Sequence, residues 1–118
     1  MKEIPNILVV CGRNKRRSKT AEAIFRREYN LNVQSAGLSP KSPSQISETK
    51  INRVDAILVM EDKHKSRITS QFRDLELPPI YVLHIEDEYE YMQPELVEIL
   101  EERIPSILKY EMNLEDFN

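Results

Sequence analysis

The stretch ILVVCGRNKRRSKTAEAIF, residues 7–25, contains the only cysteine of a 118-residue chain, followed by four basic residues in six positions. Residues 4–11, IPNILVVC, form a short, β-branched apolar run with Pro5 near its start, which predicts a buried strand. Ser18 reads as the N-cap of a helix whose first turn holds Lys19, Thr20 and Ala21 and whose inward stripe is Ala21, Ile24 and Phe25. Between strand and helix lies C-G-R-N-K-R-R-S. A buried structural cysteine has no use for Arg13, Lys15, Arg16 and Arg17. A cysteine that meets an anion does.

Working outward, the same alternation continues. LNVQSAG (31–37) predicts a second strand, and LSPKSPSQ (38–45), with two prolines, a loop. ISETKINR predicts a short helix and VDAILVM a third strand. EDKHKSRITSQFRD predicts a helix with Ile68 and Phe72 inward, and IYVLHI a fourth strand. QPELVEILEERI predicts an amphipathic helix with Pro94 in its first turn, and Pro105 is expected to interrupt the helix beyond it. Strands that alternate with helices and are apolar on both faces predict an α/β fold. Its four-stranded parallel sheet carries helices on both faces, in three layers, and residues 1–118 make one domain. In such sheets ligands sit beyond the carboxyl ends of the strands. Cys11 lies at one such end, and Asp87 comes after another.

The loop from Cys11 to Ser18 fits Cys-x5-Arg-Ser. Its five intervening residues can curl so that successive backbone N–H groups of Gly12, Arg13, Asn14, Lys15 and Arg16 converge on an oxyanion. The next helix adds its positive end. Arg17 can hold two phosphate oxygens with its planar fork. The same positive surroundings favour the thiolate of Cys11, and the Ser18 hydroxyl is placed to hydrogen-bond the sulfur. Asn14 tolerates a left-handed backbone. Together these residues predict a nucleophile beneath a bound phosphate.

Bulk properties narrow the classes. Apolar residues make up 40% of the chain, enough for one core, and no apolar run approaches the roughly 20 residues that span a bilayer. No signal-peptide pattern opens the sequence, and a single cysteine excludes an internal disulfide, so a cytoplasmic protein without a membrane segment is expected. His64, among lysines, is expected to be exposed, and His84 to be structural. No metal or other cofactor is expected. Net charge is −3 but uneven: residues 1–85 carry 15 Lys/Arg against 9 Asp/Glu, and residues 86–118 carry 2 against 11. This predicts an acidic, solvated final helix.

Around these residues the chain resembles the low-molecular-weight protein tyrosine phosphatases. Cys11, Asn14, Arg17 and Ser18 fall where that family's loop has them. SKTAEAIFRR, SAG and ILVMEDKH also look like the family, over roughly residues 4–110. The resemblance implies a hydrolase acting on phosphotyrosine or a related phosphomonoester, in a protein or a small molecule. It works through a phosphocysteine, with a general-acid aspartate after the fourth strand. Asp87 in HIEDEYEYM takes that place, flanked by Glu86 and Glu88, which an extended loop would turn the other way. A leaving group as basic as tyrosine needs such a proton whatever the family.

The chain departs from the family in three places. Arg13 stands where the family has glycine, with Gly12 one position earlier, and Arg16 where it often has a second cysteine. The chain is also shorter after SAG, where the family places an aromatic wall of the substrate slot. Tyr89 and Tyr91 are candidate walls from the other side. The protein is expected to be a monomer or weak dimer. A rival reading makes the loop cations, with Lys19, Arg26 and Arg27, an anion- or RNA-binding surface with little turnover. The acidic balance and the lack of interleaved aromatics count against nucleic acid.

Overall fold

The computed structural model describes residues 5–28 and 31–112. Its elements appear in the predicted order: β1 (Asn6–Cys11), α1 (Arg17–Glu28), β2 (Asn32–Gly37), α2 (Glu48–Asn52), β3 (Ala56–Val59), α3 (Asp62–Gln71), β4 (Ile80–Val82) and α4 (Pro94–Ser106). The four strands form one sheet in the order β2-β1-β3-β4, every pair parallel.

β1 is central, and successive side chains point to opposite faces, as pleating requires. Ile7, Val9 and Cys11 join a core with Ala21, Ile24 and Phe25 of α1 and Leu96, Leu100 and Ile104 of α4. Leu8 and Val10 join a second core with Ile51 of α2 and Ile68 of α3. A strand coated with helices on both sides must be apolar throughout, which is why ILVVC shows no alternation.

The chain leaves β1 toward β2, then returns to the other side of β1 for β3. The order therefore reverses between β1 and β3, and the cleft at their carboxyl ends is where such sheets bind ligands. Cys11 ends β1, and Glu61 lies two residues past the end of β3.

Several boundaries differ from the sequence reading, three of them for a clear physical reason. Arg17, not a residue after Ser18, opens α1, so Ser18 sits in the first turn and its hydroxyl faces the loop. The fourth strand is three residues long, because His84 takes a left-handed backbone (φ 57°) that turns the chain out of the sheet. α4 runs through Pro105 to Ser106 and widens into a π-helical turn at Ile107–Glu111, so Pro105 loosens the helix without ending it. Ile4, the expected first residue of the strand, lies outside the described residues. Among the described residues no helix is long and apolar enough to cross a membrane.

Candidate active site

The loop between β1 and α1 is tied down from outside. Three of its carbonyls are taken: Leu38 N–H donates to Cys11 O (3.0 Å), Ser39 N–H to Gly12 O (2.8 Å) and Thr20 N–H to Arg16 O (2.9 Å). Among the described residues, no backbone carbonyl accepts from the N–H groups of residues 12–16. With the carbonyls turned out, those donors remain for an oxyanion. Asn14 supplies the turn, with φ 55° and a fully buried side chain.

Inside the loop, Asn14 Nδ2 donates to Ser18 Oγ (2.8 Å), and Ser18 Oγ lies 3.0 Å from Cys11 Sγ. Since Ser18 accepts from Asn14, its own hydrogen can point at the sulfur, which suits a thiolate. Asn14 and Ser18 thus lie buried beneath the loop and shape the cavity above it. Cys11, Gly12, Arg13, Lys15, Arg16 and Arg17 line that cavity, of about 650 Å³.

Arg17 is 4% exposed, and its orientation is fixed by acceptors on two other segments. Nη1 donates to Glu61 Oε2 (2.8 Å) and to the carbonyl of Ile85. Nε lies 3.8 Å from Asp87 Oδ1, so that edge of the guanidinium faces the candidate acid. Burial raises the Glu61 carboxyl, but the hydrogen bond and charge of Arg17, helped by Lys63, outweigh it. Glu61 is held below the ordinary carboxylate range.

His64 overturns its expected exposure: it is 3% exposed. It is the third residue of α3, and its Nδ1 accepts the Glu61 N–H (3.1 Å), capping the helix from within. Burial first, and the Arg17 charge next, push its pKa down to about 4. The imidazole is therefore neutral at neutral pH, with its proton on Nε2. His84, by contrast, is exposed and sits 4.0 Å from Asp62.

The segment carrying Asp87 is anchored just upstream. Leu83 N–H donates to Val59 O and Ile85 N–H to Met60 O, both at 2.8 Å. Arg103 of α4 donates to the carbonyls of Leu83 (2.8 Å) and His84 (2.7 Å). Asp87 lines the cavity, and Glu86 and Glu88 do not. Tyr89 and Tyr91 do not line it either, against the expectation that they wall the slot. Tyr89 packs against the α1–α4 core, and Tyr91 borders a separate cavity with Lys19 and Arg26. Those two cations share Glu22, away from the loop, and the Arg27 side chain lies outside the described residues.

The far wall was not anticipated. Leu38, and Lys63, His64 and Arg67 of α3, complete the cavity. The signal was present: Glu61 comes just after the strand next to β1, and positions 63, 64 and 67 share one helix face.

No protein-family model and no curated protein matches the chain, but solved structures do. YwlE arginine phosphatase from Geobacillus stearothermophilus matches at 20% identity and a TM-score of 0.66, over 97% of this chain and 99% of that one. A YwlE mutant with a phosphorylated active-site serine matches at 26% identity and a TM-score of 0.63, over 93% and 99%. SP-PTP, a low-molecular-weight protein tyrosine phosphatase from Streptococcus pyogenes, matches at 16% identity and a TM-score of 0.71, over 98% and 100%. The chain therefore has the four-stranded parallel fold of these solved phosphatases, among them a low-molecular-weight protein tyrosine phosphatase.

Proposed function

We propose that the protein is a cysteine-dependent phosphomonoester hydrolase working through a phosphocysteine. The observation that carries this reading is the convergence of Cys11 and Arg17, from the two ends of the β1–α1 loop, and Asp87, from the segment after β4, on one cavity. A pure anion binder needs the first loop but not an aspartate anchored opposite it.

In this mechanism the loop N–H groups and Arg17 hold the phosphoryl oxygens. The Cys11 thiolate attacks phosphorus in line, the P–O bond to the leaving group breaks, and protonated Asp87 gives its proton to the departing oxygen. Asp87, now a carboxylate, takes a proton from water as that water attacks the phosphocysteine. Phosphate leaves and Cys11 is again a thiolate. Glu61 and Ile85 keep the guanidinium from swinging away between steps.

The 26%-identical relative is an arginine phosphatase, which makes phosphoarginine the second substrate reading. The cavity lining weighs against it: among the described residues, Arg13, Lys15, Arg16, Arg17, Lys63 and Arg67 face one carboxylate, Asp87. Such a field disfavours a guanidinium leaving group and favours an anionic one. A phosphorylated protein or small phosphomonoester, met in the cytoplasm by a monomer or weak dimer, fits this reading.

The test is hydrolysis of p-nitrophenyl phosphate and phenyl phosphate by wild type, Cys11→Ser and Asp87→Asn. Cys11→Ser should lose turnover while still binding phosphate or vanadate. Asp87→Asn should slow phenyl phosphate, whose phenol leaves with a pKa of about 10, far more than the nitrophenyl ester. Turnover that survives in Cys11→Ser would remove the covalent mechanism. Equal losses for both esters in Asp87→Asn would remove Asp87 as the acid and point to Glu86 or Glu88.

A further inference from the structure

We infer that Lys63 and Arg67 of α3 form a second anion subsite, which takes a carboxylate or phosphate carried on the leaving-group side of the substrate. The inference rests on the phosphatase reading and adds the substrate class. A cavity of about 650 Å³ lies within the range that holds whole small-molecule ligands, so it has room beyond the phosphoryl group.

What lines that room is charge. Among the described residues no Phe, Tyr or Trp lines the cavity, so stacking has no surface there on which to hold a leaving group. Lys63 and Arg67 stand one helical turn apart on the face opposite the Cys11 loop, and both are exposed. Like charges at this spacing disfavour the helix. Among the described residues nothing offsets this fully. Arg67 has no carboxylate within ion-pair distance among the described residues. Lys63 reaches Glu61 only at 3.8 Å, and Glu61 already holds Arg17 at 2.8 Å. His64, between them, is neutral and buried, so it neither joins nor cancels the pair. An anionic group on the substrate supplies the missing partner.

The experiment compares 3-(phosphonooxy)phenylacetate with its amide. The methylene insulates the phenol, so the two leaving groups have nearly the same basicity and differ in one charge. The ratio of their kcat/KM values is measured for wild type, for Lys63→Gln/Arg67→Gln, and for Arg53→Gln/Arg73→Gln, which removes two exposed charges outside the cavity. Wild type should favour the carboxylate about fivefold, the size that two solvent-exposed ion pairs supply. The ratio should fall toward one in Lys63→Gln/Arg67→Gln and stay at the wild-type value in the control. A wild-type ratio near one, a ratio unchanged in Lys63→Gln/Arg67→Gln, or an equal fall in the control overturns the subsite. The phosphatase reading then stands, provided Cys11→Ser is inactive on both esters. Absence of turnover in wild type, or turnover in Cys11→Ser, overturns that reading and the subsite with it.

Discussion

The floor and the far wall of the cavity are built on opposite principles. On the floor, Cys11, Asn14, Arg17 and Ser18 are at most 4% exposed, and each is held by at least one hydrogen bond from another part of the site. On the wall and rim, Arg13, Lys15, Lys63 and Arg67 are exposed, and their only ion pair among the described residues is the long contact from Lys63 to Glu61. The floor imposes geometry. The wall imposes a field. On the proposed function, such a site would bind one oxyanion in one pose and select what is attached to it by charge.

If that division is right, the largest effect comes from disturbing geometry on the floor without changing charge. Arg17→Lys does this: the charge stays, and the planar fork held by Glu61 and Ile85 is lost. Turnover of an aryl phosphate should fall at least about a hundredfold, the order observed on removing one preorganised donor. Near-normal kinetics would show that another loop cation holds the phosphate and that charge suffices on the floor too.

Next in size is the seat on which the floor rests. A Cβ at Gly37 would lie 2.8 Å from the backbone carbon of Arg13 and 2.7 Å from Ser42 Cβ, whereas a Cβ at Gly12 meets nothing within 4 Å. Ser42 can shift, but the Arg13 backbone cannot without moving the loop. Gly37→Ala should cost about 1–3 kcal/mol in chemical denaturation and lower activity as well. Gly12→Ala should stay within about 0.5 kcal/mol. The reverse order would mean that the loop is seated elsewhere.

This contrast also explains what could be read from the chain beforehand. The floor is local: Cys11, Asn14, Arg17 and Ser18 lie within eight residues, and their spacing between a strand and a helix carries the chemistry. Asp87 came from the resemblance, which puts a general-acid aspartate after the fourth strand, and the structure brings it to the cavity. The parallel sheet and its helix-covered faces were legible in apolar runs of uniform type. The wall is assembled across the fold, and EDKHKSR by itself looks like a solvated helix start. Only the β3–β1 adjacency turns Glu61 toward Arg17, and only the buried cap turns His64 inward. Tyr89 and Tyr91 misled for the same reason, since nothing local says that Tyr89 goes to a core.

His64 joins floor and wall, and it makes their coupling measurable. Its folded pKa of about 4 lies below the ordinary value of 6.5. The unfolded chain therefore takes up a proton before the folded protein does. The stabilisation is complete above about pH 6.5 and is lost as pH falls from there toward 4. Between about pH 7.5 and about pH 5 this removes on the order of 2 kcal/mol. Glu61, held below 4.5, adds its own loss at the acid end of that window. His64→Gln keeps an acceptor for the Glu61 N–H and removes the titration. Denaturation curves at the two pH values should differ on the order of 2 kcal/mol less in the variant than in wild type. An undiminished difference would place the acid sensitivity elsewhere.

The smallest effect is expected where the sequence suggested an important one. Tyr91 is 53% exposed and borders the cavity of Lys19 and Arg26, away from Cys11. If the wall selects by charge from α3, removing this ring does not touch substrate. Tyr91→Ala should change kcat/KM for phenyl phosphate by less than about twofold, as for a surface substitution without a structural partner. Stability should stay within about 0.5 kcal/mol. A rise of several-fold in KM for aryl phosphates, absent for a non-aryl phosphate, would mean that the segment after Asp87 folds over the cavity when substrate binds. The far wall would then select by stacking as well as by charge. Its fixed contacts, Arg103 to Leu83 and His84, would mark the hinge of that movement.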